Sequence, residues 1–361
     1  MMHRPLALAA VPFALTWLSP TADAQSSVTF FGVADASARS VSNEGTSAAK
    51  SLISGGNSTS RIGFRGIEDL GDGLSAGFHL EAGTLLDTGS SVSTTQFFDR
   101  RSTVSLMSRT LGEVRAGRDF VPSYVSWTRF DPFSYVGVAG SNNMISATPL
   151  GPIRSTFGSA GNTTVRANNS IQYLLPGDLA GIDGGVLVAS GEGAVPGSGN
   201  HKVMGARLGY STGAFFVTGA FTRTENSLTV SDKFNDTVVG ASYDFGLVKV
   251  SGAWRRFSFG SPRQSNLLVA AVVPIGLGEL KVSYVKADFD GKVGATDIST
   301  ADATQIGLGY VYNLSKRTAL YATASRIANQ GAAALSVPGG LSAPTPGGKS
   351  RGYEAGLRHS F

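Results

Sequence analysis

Polar and apolar residues alternate through most of the chain. The segment LSAGFHLE at 74–81 has a period of two, and so do residues 204–210, 280–284 and 306–312. A period of two predicts β-strands, because successive side chains of a strand point to opposite faces. One face carries Leu, Val, Phe and Tyr, and the other carries Gly, Ser, Lys, Arg, Gln and Glu. The sequence therefore predicts an all-β protein whose strands separate an apolar surface from a polar one.

Short turns and long connections alternate between these segments. Seven short turns rich in Gly, Pro, Asn, Asp and Ser lie at 68–73, 108–112, 175–179, 211–213, 244–246, 274–278 and 313–317. Eight longer stretches lie near 40–58, 86–98, 119–164, 190–201, 224–236, 257–265, 287–303 and 327–350. This count predicts a barrel of sixteen antiparallel strands, with the long-loop and short-turn rims typical of the bacterial outer membrane. In lipid such a sheet must close, since an open edge leaves backbone groups unpaired.

The composition agrees with a barrel in lipid. Of 361 residues, 47 are glycine, 15% are charged and none is cysteine. Globular domains average ~25% charged residues, and a surface that faces lipid explains the shortfall. The absence of cysteine excludes disulfides and thiolate metal sites. The net charge of +5 comes without a basic run, so we expect no nucleic-acid partner.

Residues 1–24 have the pattern of a secretory signal peptide. A basic start at Arg4 precedes a mostly apolar run over 6–18, and the segment ends in Ala-Asp-Ala. This order matches an export signal with a small-residue cleavage site. We expect its removal to leave residues 25–361 as one outer-membrane β-barrel domain, exported through the periplasm. No uninterrupted apolar run of ~20 residues follows, so the sequence predicts no transmembrane helix.

The C-terminal residues suggest an assembly signal. Tyr353, Ala355, Leu357, His359 and Phe361 share one face of the last predicted strand, and Phe361 ends the sequence. A terminal Phe that follows alternating apolar residues resembles the signature that the outer-membrane assembly machinery recognises. We therefore expect Phe361 to be an assembly signal.

Several segments along the chain resemble one family. Residues 26–35, SSVTFFGVAD, look like the first strand of Gram-negative general porins of the β-proteobacterial type, and residues 60–71, SRIGFRGIEDLG, are similar to that family's SRxGxRGxEDLG segment. Further similar segments lie at 166–170, 240–246 and 314–318. The resemblance implies a homotrimeric, sixteen-stranded porin in outer-membrane lipid, with its third long loop folded into the lumen. The 46 residues at 119–164, which include FDPF at 130–133, fit that loop.

Alternation places several charged residues on the polar, lumen-facing side of their strands. Arg61 and Arg65 lie on the face opposite to that of Ile62 and Phe64, and Arg115 alternates with Val114 and Ala116. Glu81 shares the polar face with His79, and Arg166 shares it with Asn168. At the adjacent pair Arg100 and Arg101, strict alternation favours Arg101 inward. The resemblance to anion-selective members instead favours Arg100, in a constriction cluster with Arg61 and Arg166, and a bulge could reconcile the two. The resemblance also implies that Glu81 and Asp131 face this cluster as acidic partners.

The arginines point to a channel that prefers anions. A guanidinium group stays protonated at physiological pH, and its donors can replace part of an anion's hydration shell. We therefore expect a water-filled channel for passive diffusion of small hydrophilic solutes and ions, with anion preference. The alternatives are a substrate-specific channel for organic acids or sugars and, less favoured, an outer-membrane enzyme or adhesin. No catalytic constellation forms around His79, His201 or His359, so we expect no enzymatic activity, cofactor or metal.

Overall fold

The computed structural model describes residues 27–145, 150–158, 161–191, 201–225 and 232–361. The predicted export signal and its cleavage point lie outside these ranges. No helix in the described part of the chain is long and apolar enough to cross a membrane.

Within the described residues, sixteen long strands form one closed antiparallel barrel, which confirms the predicted fold class. In chain order, β1 to β16 are Ser27–Asn43, Arg61–Gly71, Leu74–Leu85, Arg101–Ser108, Gly112–Phe120, Arg166–Leu174, Ile182–Ala189, Lys202–Thr212, Phe215–Glu225, Phe234–Asp244, Lys249–Ser258, Arg263–Ile275, Gly278–Asp290, Ala303–Asn313, Thr318–Asn329 and Lys349–Ser360. Each strand pairs with its neighbours in the sequence. The barrel closes where β1 pairs with β16, from Val33 opposite Ser360 to Asn43 opposite Ser350.

Short strands extend the barrel on the long-loop side. Residues Ala49–Ser54 pair with the upper part of β1, so the first loop is largely a hairpin. The chain then passes through 55–60 before β2 begins. The buried carboxylate of Asp35 accepts hydrogen bonds from the backbone N–H of Asn57 and Ser58, at 3.0 and 2.7 Å. These bonds fix the segment that leads into Arg61.

The seven predicted short turns join the strands at one rim. The connections are 72–73, 109–111, 175–181, 213–214, 245–248, 276–277 and 314–317. Gly213 and Gly276 have φ of 52° and 59°, a conformation that glycine adopts without a Cβ penalty. The prediction of a long loop at 257–265 is wrong. The strands continue until Ser258 pairs with Arg263, so only residues 259–262 remain as a connection.

The two faces of the sheet divide as alternation predicts. On β14, Ile306 and Leu308 are exposed on the outside of the barrel. Gln305, on the same strand, points inward and is fully buried against the lumen loop. The C-terminal residue belongs to the outer surface. The ring centre of Phe361 lies 5.4 Å from that of Phe30. Its backbone N–H donates to the carbonyl of Gly32 at 3.1 Å, so the sheet runs to the last residue.

The described residues of the third long connection, 121–145, 150–158 and 161–165, lie inside the barrel, as expected. It carries the helices α1 (Pro122–Thr128) and α2 (Pro152–Phe157), with a 3₁₀ helix at Ser141–Met144 between them. Inward-facing residues of the wall hold it. Ser126 Oγ lies 3.1 Å from Thr218 Oγ1, and Gln305 Nε2 donates to the carbonyl of Ala139 at 2.9 Å.

A buried core joins this loop to the wall of β9 to β15. It includes Trp127 and Phe130 of the loop with Val238 and Phe257 of the wall. A buried ion pair lies at its edge, with Arg255 Nη2 at 2.7 Å from Asp236 Oδ2. Loop contacts complete this pair, since Ser123 Oγ donates to Asp236 Oδ2 at 2.6 Å and Arg255 donates to the carbonyl of Thr164 at 2.8 Å. The loop is therefore fixed to one side of the lumen.

Candidate functional site in the barrel lumen

The charged cluster is built around Glu81 on the inner face of β3. Strand register places Glu81 opposite Gly63 of β2 and opposite Arg101 of β4. Residues opposite each other in a sheet share a face, and alternation along β2 adds Arg61 to the same face. Arg61 Nε lies 3.8 Å from Glu81 Oε1. His79, on the same strand, places its Nε2 3.3 Å from Glu81 Oε2.

Both members of the pair Arg100 and Arg101 reach this cluster. The strand β4 begins at Arg101, so alternation does not restrict the direction of Arg100. The backbone N–H of Arg100 donates to the carbonyl of Glu81 at 3.2 Å, and its Nε donates to the Glu81 carboxylate. Arg101 Nε lies 3.3 Å from Asp119 Oδ2. The structure thus places Arg100 against Glu81 and Arg101 beside Asp119.

Arg166 connects the cluster to the lumen loop. It is the first residue of β6, and its guanidinium carbon lies 4.5 Å from the ring centre of Phe120. Phe120 stacks on Tyr124 of α1, with ring centres 4.9 Å apart. Burial raises the pKa of Tyr124, while the charges of Arg166 and Arg100 act in the opposite direction. The charge of Arg100 acts on both Arg61 and Arg166, and the charges of Arg118 and Asp99 also act on Arg166.

Arg115 and Arg65 differ from the other arginines in their surroundings. Arg115 donates to both carboxylate oxygens of Glu113 at 2.8 Å and to Asp119 Oδ2 at 2.7 Å. Its charge is therefore balanced locally. Arg65 lies further along β2, opposite His79, with its guanidinium carbon 5.4 Å from the ring centre of Phe31. Arg65 is thus displaced from the cluster toward the short-turn rim.

Asp131 does not face the cluster, and the implied role as an acidic partner there is wrong. Its side chain is 5% exposed and is used inside the loop. The carboxylate accepts hydrogen bonds from Ser141 Oγ at 2.6 Å and from the backbone N–H of Phe133, Tyr135 and Ser141 at 2.9 to 3.1 Å. Burial raises the pKa of Asp131, and these hydrogen bonds act against that rise. Asp131 therefore holds the shape of the loop.

Sequence reasoning missed several residues of the site, namely Asp99, Arg118, Asp119 and Tyr124. Asp119 lies an even number of residues after Arg115, so alternation alone could have placed it on the lumen face. Its position between Arg115 and Arg101, however, depends on how the strands pair. Tyr124 lies in the loop, where no strand period applies. Its place beside Arg166 follows from the way α1 packs against the wall.

The cluster carries an excess of positive charge. Six guanidinium groups, of Arg61, Arg100, Arg101, Arg115, Arg118 and Arg166, stand with four carboxylates, of Glu81, Asp99, Glu113 and Asp119. Arg61, Arg100 and Arg101 keep 26%, 14% and 20% of their side-chain surface exposed, so solvent reaches them. A wet group of fixed cations between low-dielectric walls raises the local concentration of anions.

The fold and the lumen define a class of protein. A closed antiparallel barrel with an apolar outside, a polar inside, one long-loop rim and a loop held in the lumen is an outer-membrane channel. The family model for Gram-negative porins matches residues 7–332, and the chain belongs to that family. Its location is the Gram-negative outer membrane.

Similar porins cover most of the chain. The outer membrane porin protein 32 of Delftia acidovorans is 35% identical over 97% of this chain and 99% of its own. An outer membrane porin protein of Bordetella pertussis is 28% identical over 77% of this chain and 79% of its own. Among solved structures, an anion-selective porin from Comamonas acidovorans superimposes with a TM-score of 0.80 and 33% identity, covering 93% of this chain and 100% of that one.

Proposed function

We propose that this porin is a passive diffusion channel that prefers anions, with its selective section at Arg61, Arg100 and Arg166. The observation that carries the proposal is the imbalance of charge at these residues. Glu81 lies within 4 Å of Arg61 and hydrogen-bonds Arg100, and Arg166 stacks on an aromatic ring. Two carboxylates, of Glu81 and Asp99, therefore stand among four guanidinium groups, since Arg118 adds to these three, and no guanidinium group can lose its proton.

The other predicted arginines have secondary parts in this proposal. Arg101 and Arg115 share Asp119, so they contribute hydrogen-bond donors more than net charge. Arg65 extends the positive wall toward the short-turn rim. An anion that enters from the short-turn rim thus meets the guanidinium group of Arg65 before it reaches the selective section. The similarity to a porin named as anion-selective supports this assignment.

Assembly and export complete the proposal. We infer that residues 1–24 are removed on export and that the barrel forms a homotrimer through its outer apolar faces. We also infer that the outer-membrane assembly machinery reads the terminal Phe361. The exposed ring of Phe361 at the short-turn rim supports this last inference, since it is accessible on the outside of the barrel.

A channel selective for organic acids is the second candidate. The stacked rings of Phe120 and Tyr124 beside Arg166 favour it, because an apolar surface next to a guanidinium suits a carboxylate that carries a short carbon chain. The two candidates differ in saturation. A diffusion channel conducts in proportion to solute concentration, whereas a specific one saturates.

The test is a planar-bilayer recording of the purified porin in a tenfold KCl gradient. K⁺ and Cl⁻ have similar mobilities, so the zero-current potential reports their selectivity. We expect a potential displaced toward the Cl⁻ equilibrium value. A potential at zero, or displaced toward the K⁺ value, would contradict the proposal.

A further inference from the structure

His79 lies between a carboxylate and a guanidinium group on the inner wall of the barrel. It is two residues before Glu81 on β3, on the short-turn side of the selective section. Its Nε2 lies 3.3 Å from Oε2 of Glu81, and its Nδ1 lies 3.4 Å from Nη1 of Arg101 on β4. The side chain is 21% exposed. Both ring nitrogens therefore have partners, in a place where water in the lumen can still exchange protons with the ring.

These two partners determine which nitrogen carries the hydrogen. A guanidinium Nη–H can only donate, so Nδ1 of His79 accepts from Arg101 and carries no hydrogen. The hydrogen of the ring then lies on Nε2, which donates it to the Glu81 carboxylate. The arrangement in the structure is thus that of a neutral histidine.

A second proton on the ring would change the contact with Arg101 and keep the contact with Glu81. It enters at Nδ1, and since two donors cannot bond each other, Arg101 must then turn away from the ring. Arg101 keeps a partner when it does so, because its Nε lies 3.3 Å from Oδ2 of Asp119 on β5. The contact between the protonated ring and Glu81 becomes an ion pair. Protonation therefore leaves no charge of this group without a partner.

Charged groups of both signs act on His79 from the neighbouring strands. Arg65 of β2 lies directly opposite it in register, and β1 contributes an aromatic ring with its centre 5.2 Å from that of the imidazole. The guanidinium groups of Arg65 and Arg101 disfavour a positive charge on His79. The carboxylates of Glu81 and, beyond Arg101, of Asp119 favour it. Histidine is the side chain whose charge ordinarily changes between pH 5 and 8, and here neither sign of neighbour predominates.

We propose that His79 determines the ion selectivity of this channel according to pH, as a neutral ring in base and as a cation beside the selective section in acid. The inference rests on the proposed anion filter, in which Arg61 and Arg100 share the Glu81 carboxylate. A cation at His79 offsets part of the charge of that carboxylate. It also adds one positive charge to the wall two residues, or about 7 Å, along β3. The lumen therefore becomes more attractive to anions as the pH falls.

Planar-bilayer recordings of the purified porin at pH 8 and at pH 5.5, in a tenfold KCl gradient, test the proposal. The zero-current potential gives the Cl⁻ to K⁺ permeability ratio. We expect this ratio to be about twofold higher at pH 5.5, which is the effect of one unit charge at about 7 Å in water. Carboxyl groups ordinarily take up protons at a lower pH than either of these values. An equal ratio at the two pH values would overturn the proposal.

Substitutions at His79 separate its charge from its hydrogen bonds. In His79→Gln the side chain keeps a donor and an acceptor but cannot become charged, so the ratio should stay at the pH 8 value of the unmodified protein at both pH values. His79→Lys carries its charge throughout this range and should give the higher ratio at both. A ratio that still rises in acid in His79→Gln would overturn the proposal.

A second histidine of the barrel provides the matched control. His359 is exposed on the outer face of β16, where its Nδ1 lies 2.9 Å from Oγ1 of Thr318. His359→Gln removes a titratable ring without changing the lumen, and it should keep the full dependence on pH. Loss of the pH dependence in His359→Gln would show that the proton acts outside the lumen and would overturn the proposal.

The sign of the potential and its dependence on pH test different claims. A channel that prefers K⁺ at both pH values, yet shifts toward Cl⁻ in acid only when His79 is present, would contradict the proposed anion preference and support this inference. A channel that prefers Cl⁻ equally at both pH values would support the proposed function and overturn this inference.

Discussion

The Nε atom of Arg61 lies 3.8 Å from Oε1 of Glu81, and the same carboxylate accepts a hydrogen bond from Arg100. One negative charge thus stands between two guanidinium groups on the inner wall. It orients both side chains and offsets part of their charge. Anion preference therefore depends on the balance between Glu81 and its arginines, which single substitutions can shift in either direction.

Removing the charge of Glu81 should strengthen anion preference. In Glu81→Gln the amide still accepts a hydrogen bond, but it no longer offsets the arginines. One unit charge at about 7 Å in water is worth about 0.6 kcal/mol, so the Cl⁻ to K⁺ permeability ratio should rise about two- to threefold. The measurement is the zero-current potential in dilute KCl. The control Glu68→Gln removes a charge near the short-turn rim of β2 and should change the ratio little. A lower ratio in Glu81→Gln would contradict the account of the site.

The buried pair of Asp236 and Arg255 should determine how firmly the loop is held. Asp236→Asn leaves the Arg255 charge buried without its partner, which costs about 3 to 5 kcal/mol. We expect the oligomer to dissociate at a lower temperature, as followed on denaturing gels, and the single-channel currents to be noisier. The double variant Asp236→Leu/Arg255→Met removes both charges and should recover much of the lost stability. A double variant no more stable than the single one would show that the pair does not act as a unit.

Phe361 should matter for assembly more than for packing. Its ring lies against Phe30, so the two residues share the same aromatic contact. Burying such a side chain stabilises a fold by about 1.5 to 3 kcal/mol at most. A closed barrel can remain folded after losing this much stability. We expect Phe361→Ala to accumulate in the periplasm, while the matched Phe30→Ala reaches the outer membrane. Fractionation of cells measures both. Equal amounts of the two variants in the outer membrane would refute the role as an assembly signal.

The oligomer should resist detergent at room temperature. Barrel closure leaves no free sheet edge within the membrane, and the outer apolar faces are available for contact between subunits. Unboiled samples should migrate as a trimer on a denaturing gel and boiled samples as a monomer. A monomer in unboiled samples, with a monomer mass in mild detergent as well, would contradict the inferred homotrimer.

The strand pattern was predictable because membrane burial imposes one rule on every strand. Residues such as Ile306 and Leu308 must face lipid, and this requirement repeats along the whole barrel. The same rule places Arg61 and Glu81 inside. Strand ends are less constrained, since beyond the lipid either polar or apolar residues are tolerated. This is why the expected loop at 257–265 is in fact four connecting residues between two longer strands.

The parts of the site that depend on the loop were not predictable from alternation. Asp131 resembles an acidic pore residue in its motif, but its partners are backbone groups and the Ser141 hydroxyl, which only the folded loop brings together. Arg100 precedes its strand, so no period fixes its direction. Tyr124 reaches Arg166 because α1 packs against the wall, a tertiary contact between distant segments.

The selectivity of the double variant Arg61→Ala/Arg166→Ala tests the central claim most directly. The control is Arg263→Ala, which lies at an exposed strand end beside Asp290 and not in the long loop predicted at 257–265. In a KCl gradient centred on 0.1 M, the double variant should shift the zero-current potential toward cation selectivity, and the control should not. The shift should shrink near 1 M salt, where the screening length falls to about 3 Å. A double variant that keeps the original potential at 0.1 M would show that the anion filter lies elsewhere.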